Sequence, residues 1–405
     1  MGRVTSATLT RNGGLAEHLE GASWADADGG AGQIELHYAY GPELLPQNAP
    51  SKDGMWRYKS LLPIGEEEIR YPLAIGNTPL IAPPRLRKTT GMPRLWLKDE
   101  TRTPTGSNKD RATALILEHM RRHGVSTVSC ASTGNVAVSL SAGAAASGVE
   151  AVIFVPAEVS QTKLTLMLLA GAKVLKVEEG YEAAFELSRR AARTFGWYDR
   201  NTGINPFTLE AKKTVAFEIW EQLGRRVPDT IVVPVGDGPT LTAMVKGFRE
   251  LMACGATDRL PKVIGVQAEG CEPLARAWRT GEPVETVLPE TIADGIAVGS
   301  PVSAQLVLRD VRETGGGFVT VSDEAMLGAI GELASKSGTL AEPAGAAAFA
   351  ALEAARAASL VDSGEETVVH ITGSGLKNPQ YLRPNGNAST VRADLSEVER
   401  ALSGR

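Results

Sequence analysis

The feature that most constrains the fold is an alternation of short apolar runs with longer helical patterns. Wholly apolar runs such as "AVIFVP" (151–156) and "TIVVPVG" (230–236) alternate with Ala- and Leu-rich stretches. Strands that are apolar on both faces and are separated by helices indicate parallel sheets covered on both sides. The alternation forms two series that divide near residues 205–230. The sequence therefore predicts an α/β protein with two open parallel-sheet domains and a cleft between them.

The same pattern suggests how the chain is divided, because 405 residues are enough for two sizeable cores. We expect residues 1–90 to form an N-terminal extension whose strand and loop segments pack on the core. Residues 91–205 are expected to form a smaller α/β domain. Residues 206–405 would form a larger one that shares segments with the N-terminal region. Ligands of open α/β sheets bind beyond the carboxyl ends of the strands, so functional loops are expected in the cleft.

Composition excludes several classes of protein. A net charge of -5 without a basic stripe argues against nucleic-acid binding. Cys130, Cys254 and Cys271 are an odd number with no CxxC pair, which favours reduced thiols in a cytoplasm and no cysteine zinc site. Residues 1–14 lack the apolar core of a signal peptide. The most apolar run, 165–177, is too short to span a membrane. We expect a soluble, cytoplasmic protein.

The stretch "PTGSNKDRATALILEHM" (104–120) places Lys109 between a Gly-Ser turn and a predicted helix. A lysine at the positive end of a helix costs less to keep neutral, and a lysine that forms an imine must be neutral. The alternative interpretation is an ordinary solvated lysine.

The loop "STGN" follows one predicted strand and opens a helix, so its hydroxyls, amide and free backbone N–H groups could grip a carboxylate. Its residues are Ser132, Thr133, Gly134 and Asn135. An ordinary helix N-cap is the alternative for this loop.

The loop "VGDGPT" (235–240) also joins a strand to a helix, and its glycines let successive N–H groups point at a phosphate. It is neither a Walker loop nor GxGxxG. We expect the carboxylate of Asp237 to turn away from a dianion, and a simple tight turn is the alternative. The predicted backbone donors are Gly236, Asp237, Gly238, Thr240 and Leu241.

A last loop, "HITGSGLKNP" (370–379), follows the final predicted strand, where Thr372 could present its hydroxyl to the same cleft or merely form part of a Gly-rich turn. Taken in order, these loops and their neighbours resemble the fold-type II pyridoxal-phosphate enzymes, most closely the threonine synthase branch. The segments that carry the resemblance are "MWRYKSLLP" (55–63), "GNTPL" (76–80), "LKDETRTPTGSNKDR" (97–111), "ASTGN" (131–135), "NPFTLEAKKT" (205–214), "PVGDG" (234–238), "AEPAGAAA" (341–348) and "TGSGLKNP" (372–379).

The resemblance implies pyridoxal 5'-phosphate as cofactor, a small amino-acid substrate and a homodimer. By it, Lys109 is the Schiff-base lysine and the later base for the α-proton, and Asn135 hydrogen-bonds the 3'-oxygen of the cofactor. The 236–241 loop would cup its phosphate, and Thr372 would lie against the pyridine nitrogen. Ser132 and Thr133, with the amides around Gly134, would hold the substrate carboxylate. A hydroxyl at the pyridine nitrogen suits elimination and replacement at Cβ or Cγ.

Departures from the threonine synthase pattern bear on the substrate. Val136 stands where that branch commonly has threonine, and Thr208 replaces the arginine of its "NPxRLEGQKT" segment. Gly203 replaces the serine of an Asn-Ser pair. Each lost charge-assisted bond to a substrate phosphate removes roughly 1.5–3 kcal/mol. Asn108 replaces a phenylalanine, which puts a polar side chain beside the reacting carbon.

We therefore expect a threonine synthase homologue that has moved to another amino acid. Alternatives are a genuine threonine synthase, a cysteate synthase-like β-replacing enzyme or serine/threonine dehydratase, and an inactive binding protein on this fold. We expect no metal site. His119 and His123 are interpreted as opposing the negative end of a helix, and "HYAYG" (37–41) carries no thiols. Helix periodicity suggests that Lys212 or Lys213 points at solvent.

Overall fold

The computed structural model describes residues 4–9, 34–46, 51–64, 68–203 and 205–403. Most of the segment 1–14, on which the expectation of no signal peptide rests, lies outside this range. The strands β1–β12 are Val4–Leu9, Ile34–Tyr38, Leu80–Ile81, Leu95–Asp99, Thr127–Ala131, Glu150–Pro156, Lys173–Val177, Tyr198–Asp199, Thr230–Pro234, Lys262–Ala268, Gly317–Val321 and Thr367–Ile371. The helices α1–α14 are Pro84–Thr90, Lys109–Arg122, Asn135–Ser147, Gln161–Leu169, Tyr181–Phe195, Phe207–Lys212, Thr214–Gln222, Pro239–Ala253, Pro273–Thr280, Ala304–Glu313, Asp323–Ser337, Pro343–Ala350, Leu352–Ala357 and Leu395–Ser403.

The larger sheet has six strands in the order β11-β10-β9-β12-β4-β3. Its strands pair in parallel except β3, which runs antiparallel to β4 at the edge. The central strands β9 and β12 are buried along their whole length, because helices cover both faces. This is the reason that they are apolar runs in the sequence.

The smaller sheet is parallel, with four strands in the order β7-β6-β5-β8. The interior strand β6 buries its apolar core, whereas the edge strand β7 exposes most of its residues and carries lysines. Charged edge strands discourage pairing with a second chain. Two parallel sheets with helices confirm the predicted fold class.

The strand β4 pairs with β12 in the larger sheet, with Leu95 opposite Thr367. It lies within residues 91–205, the range that the sequence analysis assigns to the smaller domain, so the exact domain boundaries stay a prediction. In the N-terminal region, β1 and β2 form an antiparallel pair, and Leu36 is fully buried. None of the described helices is long and apolar enough to cross a membrane.

The helix α12 determines how closely the site elements approach one another. Its sequence "PAGAAAFA" consists of apolar residues that are small except for Phe349, and every residue except the last is buried. A Cβ placed on Gly345 would lie 2.7 Å from the carbonyl oxygen of Gly373, so this glycine permits the close packing of α12 on the end of β12. The approach puts Glu342, which precedes α12, beside the loop that follows β12.

Candidate active site

The turn that carries Lys109 is attached to the loop after β12. The backbone N–H of Asn108 donates to the carbonyl of Thr372 at 3.0 Å, and that of Ser374 donates to Gly106 at 2.8 Å. Lys377 donates its amine to the carbonyl of Gly106 at 2.7 Å. Gly106 has a φ of 69°, a conformation that glycine adopts without strain. The first predicted loop and the last are therefore brought together at one place.

Buried ion pairs hold the first turn of α2 in position. Arg111 donates to Glu100 and Glu218 over distances of 2.6–2.8 Å. Lys98 donates to Glu218 at 2.7 Å. All four side chains are buried, so α2, β4 and α7 are joined by charges that neutralise one another. Sequence reasoning did not select this cluster, although charged residues within apolar segments were a visible signal.

Lys109 itself is half-buried, and its Nζ donates to the Asn108 side-chain oxygen at 3.0 Å. Burial lowers the pKa of Lys109 to about 8. Glu342 opposes this shift and Arg200 adds to it through their charges. A substantial fraction of the amine is thus neutral near pH 8, and the neutral amine is the form that acts as a nucleophile or base.

Asn108 links the lysine to the glycine turn. Its amide nitrogen donates to the Thr240 hydroxyl oxygen at 3.3 Å, and Lys212 donates to the same oxygen at 3.1 Å. Because Thr240 accepts two hydrogen bonds, its own O–H remains available to donate to a further acceptor.

The expectation that Lys212 or Lys213 points at solvent is wrong, since both are buried. The helix α6, on which Lys212 lies, is buried along its whole length, so it has no solvent-facing side.

The glycine turn, residues 236–238, forms a cradle of backbone donors. A Cβ on Gly238, whose φ is 102°, would lie 2.3 Å from Val307, and one on Gly236 would lie 3.0 Å from the Ile296 backbone. Within the described residues, the N–H groups of 236, 237, 238 and 240 donate to no protein acceptor. The N–H of Leu241 differs from the expectation, because it donates to the carbonyl of Gly238 at 3.0 Å.

The carboxylate of Asp237 is engaged outside this cradle, where it accepts the backbone N–H of Val302 at 2.7 Å. Burial raises the pKa of Asp237, and the hydrogen bond from Val302 opposes that shift. The four free N–H groups and the following helix α8 together provide the donors that a phosphate requires.

Asn135 lies at the first position of α3 and donates its amide nitrogen to Glu342 at 2.7 Å. Its side-chain oxygen is buried and has no partner in the described part of the chain. Among the described residues, Glu342 in turn receives no other side-chain donor, and it lies so close to Gly373 that a Cβ there would be 2.2 Å from its Oε1. Asn135 is thereby placed beside the Thr372 loop, and its side-chain oxygen can still accept a hydrogen bond.

The other residues of the "STGN" loop are less fully engaged. The Ser132 hydroxyl accepts the N–H of Gly134 at 3.2 Å, which shapes the turn. Thr133 and Gly134 are half-buried, as a residue reached by a small molecule would be. Val136 packs against the main core, so its side chain adds no donor to the site.

The departures Thr208 and Gly203 lie together. Both line a partly open recess beside Pro239, at the start of α8, and the recess is too narrow for a water molecule. The hydroxyl of Thr208 is buried without a partner among the described residues.

Three functional candidates escaped the sequence analysis. Glu342 lies in the segment "AEPAGAAA" (341–348), and only its position as a lone carboxylate before an apolar helix could have pointed to it. Arg200 follows β8, is fully buried, and leaves its Nε and one Nη without partners among the described residues. Lys212 was considered only as one of two neighbouring lysines, of which at least one was expected to point at solvent. Burial of an isolated cation cannot be read from local periodicity.

The interpretation of the histidines as helix-end cations is also wrong for His119. It is buried within the last turn of α2, close to the hydroxyl of Tyr198 at 2.9 Å. Burial lowers the pKa of His119 to about 3, so the ring is neutral at pH 7 and places no charge at the helix end. In "HYAYG", Tyr38 donates to Glu210 at 2.6 Å, which anchors β2 on α6.

Pyridoxal 5'-phosphate fits these residues. Within the described part of the chain, the glycine turn offers four N–H groups without an acceptor, in a cradle that side chains would fill, and Asn135 has a buried oxygen without a partner. Lys109 has an amine of lowered pKa within the same set of loops. The arrangement is that of a fold-type II pyridoxal-phosphate enzyme.

Comparison of the sequence with known proteins gives the same class of enzyme. A family model described as "Pyridoxal-phosphate dependent enzyme" matches residues 71–373, and the chain belongs to that family, to its threonine synthase-like group. A threonine synthase of Methanosarcina acetivorans is 39% identical over 388 residues, which is 92% of this chain and 93% of the relative. One of Methanocaldococcus jannaschii is 37% identical over 353 residues, 86% of this chain and 87% of the relative.

A solved structure extends the likeness to the fold. A fungal L-serine ammonia-lyase from Rhizomucor miehei superposes with a TM-score of 0.64 at 23% identity, over 75% of this chain and 98% of that one. The protein is thus a pyridoxal-phosphate-dependent lyase or synthase. The cofactor supplies an electron sink for a carbanion at the amino-acid Cα.

Proposed function

We propose that the protein eliminates or replaces a leaving group at Cβ or Cγ of an amino acid, in a substrate site altered from that of threonine synthase. The observation that carries the alteration is Thr208 in place of the threonine synthase arginine, beside Gly203 and Pro239, with a buried hydroxyl that has no partner among the described residues. An arginine at position 208 would add a bidentate donor at this place, and threonine cannot replace it.

The residues divide the work as follows. Lys109 receives the α-proton, because its lowered pKa leaves a neutral amine near pH 8. Ser132, Thr133 and the amides around Gly134 hold the substrate carboxylate at the start of α3. Thr372 would face the pyridine nitrogen of the bound cofactor, where a hydroxyl would favour elimination or replacement over transamination. The glycine turn and Thr240 bind the cofactor phosphate.

Threonine synthase activity itself is the second candidate. The relatives that carry that name match most of the chain. A buried cation at Lys212 also remains near the glycine turn, so an anionic substrate group would still find a positive charge.

The deciding experiment offers O-phosphohomoserine, O-phosphoserine, O-acetylserine, serine and threonine, and follows both the visible spectrum and the product. We expect turnover of a substrate other than O-phosphohomoserine. Efficient formation of threonine from O-phosphohomoserine would refute the altered site and establish the second candidate. The double variant Thr208→Arg, Val136→Thr should raise activity on O-phosphohomoserine if the two departures determine specificity.

The same panel separates the remaining alternatives. Turnover of serine or threonine to a keto acid indicates a dehydratase. Product formation that requires an added nucleophile, such as sulfite, indicates a β-replacing enzyme of the cysteate synthase type. A chain that binds the cofactor yet changes no amino acid would be a binding protein on this fold.

We further infer a cytoplasmic homodimer. The three cysteines are free and buried, which suits a reducing compartment. The homodimer rests on family resemblance, and light scattering of the purified chain would test it by giving a mass near 42.7 kDa for a monomer or about twice that for a dimer.

A further inference from the structure

Lys212 is a buried amine that has no countercharge among the described residues. Its side chain is 3% exposed, and its one hydrogen bond in the described part of the chain goes to the neutral Thr240 hydroxyl at 3.1 Å. The next residue, Lys213, provides the contrast. It is equally buried but pairs with Glu210 at 2.5 Å and Glu250 at 2.8 Å. A charge that is buried without a partner is costly, so its retention calls for a ligand.

The surroundings of Lys212 strengthen that contrast. Burial lowers the pKa of Lys212 well below its ordinary value, and the charges of Lys109 and Arg200 lower it further. Among the acidic groups that raise the pKa of Lys212, Asp237 acts most strongly, and its carboxylate already accepts the N–H of Val302. Arg200 also keeps two unpartnered nitrogen atoms within the described residues. The region has more positive charge than the protein neutralises.

The position of Lys212 on α6 explains why its side chain extends towards Thr240. Lys212 follows Thr208 by four residues, so the two share one side of the helix. In the motif "NPxRLEGQKT", the position of Thr208 holds arginine and that of Lys212 holds glutamine. One cation is absent here and another has appeared a helical turn further on, next to Thr240 and the glycine turn.

We propose that Lys212 and the Thr240 hydroxyl together bind a phosphate group at the glycine turn. Thr240 accepts hydrogen bonds from Lys212 and Asn108, which leaves its O–H free to donate to the same anion. The phosphate comes either from the cofactor or from the substrate, and both present the same tetrahedral oxyanion. The inference deepens the proposed function, because the second source would make the substrate a phosphorylated amino acid.

The first arm of the test addresses the cofactor phosphate. The apoprotein of the full chain is titrated with pyridoxal 5'-phosphate and, separately, with pyridoxal, for wild type, Lys212→Gln and Lys212→Arg. If Lys212 binds this phosphate, Lys212→Gln weakens binding of the phosphorylated form roughly ten- to hundredfold and leaves pyridoxal binding unchanged. Lys212→Arg, which keeps the charge, retains most of the affinity.

The second arm addresses a substrate phosphate. Holoenzyme saturated with cofactor is titrated with inorganic phosphate, and with O-phosphoserine against serine, by its visible spectrum. A substrate-derived phosphate predicts that Lys212→Gln loses affinity for O-phosphoserine and inorganic phosphate by a similar factor but binds serine as before. Unchanged affinities in both arms would overturn the proposal.

A stability measurement separates binding from a merely structural role. Lys212→Met removes the unpaired amine from a buried position and keeps nearly the length of the side chain, so the Tm of the apoprotein should stay the same or rise. A fall in Tm together with unaltered anion affinity would assign Lys212 to the scaffold and contradict the proposal. Neither arm requires turnover, so the role of Lys212 can be tested even if the proposed reaction is not observed.

Discussion

Two buried groups of charged side chains lie close to each other in this protein and differ in one respect. In the paired cluster, each charge meets an opposite charge at 2.6–2.8 Å; its members are Lys98, Glu100, Arg111 and Glu218. In the cationic cluster, whose members are Lys109, Arg200 and Lys212, no ion pair within the described residues neutralises any member.

The difference shows that burial of charge serves two purposes here. The paired cluster ties α2, β4 and α7 together and is complete within the chain. The cationic cluster is not neutralised within the described residues, and the phosphate that we propose would complete it. The first cluster positions Lys109, and the second makes the place where Lys109 lies suitable for a phosphorylated cofactor.

The largest effect is expected from Lys109→Ala. This change removes the amine from the cationic cluster, so activity should fall by at least about 10²–10⁴-fold, the contribution of a positioned general base alone. The yellow colour of the bound cofactor should also be lost. Because the amine is not part of an ion pair in the described chain, urea unfolding should give a free energy no lower than that of wild type. Retained turnover would remove Lys109 from the catalytic role.

A substitution in the paired cluster, in contrast, should lower the stability of the protein. Arg111→Met leaves Glu100 and Glu218 with Lys98 as their remaining cation, and the free energy of unfolding should fall by about 3–5 kcal/mol. Urea denaturation measures it. The matched control is Arg383→Met, which breaks an exposed pair with Glu324 and should change stability within experimental error. Equal effects of the two changes would contradict the distinction between buried pairs and exposed ones.

The smallest effect concerns His370, which lies between the two clusters. Burial lowers the pKa of His370 to about 4, and the nearby charges include Glu100, Arg111 and Lys109. Neither ring nitrogen has a partner in the described chain. In the unfolded chain, His370 becomes protonated below about pH 6.5. In the folded protein its ring stays neutral until about pH 4. Stability should therefore fall across that window by up to about 1.4 kcal/mol per pH unit for this residue.

Urea titrations at several pH values between 7.5 and 4.5 measure this slope. His370→Leu should flatten it, while the contribution of buried His119 remains in both proteins. The same pH dependence in wild type and variant would mean that His370 does not stay neutral in the fold.

Local patterns predicted the repeating elements well. The apolar runs at 151–156 and 230–236 correspond to β6 and β9, and the small-residue pattern after "STGN" corresponds to α3. Local patterns failed where contacts come from distant parts of the chain. The pairing of Leu95 with Thr367 and the burial of Lys212 are examples. Periodicity records the composition of one element, and it does not record what covers that element.

The sequence by itself determined the α/β class and predicted the candidate loops and Lys109, because strand burial and turn-forming glycines leave strong local signals. Only the tertiary structure decided which buried charges are neutralised and which are left for a ligand. Neutralisation depends on distances between side chains from different elements. Two adjacent lysines, 212 and 213, look alike in the sequence and differ in the fold because Glu210 and Glu250 reach one of them and not the other.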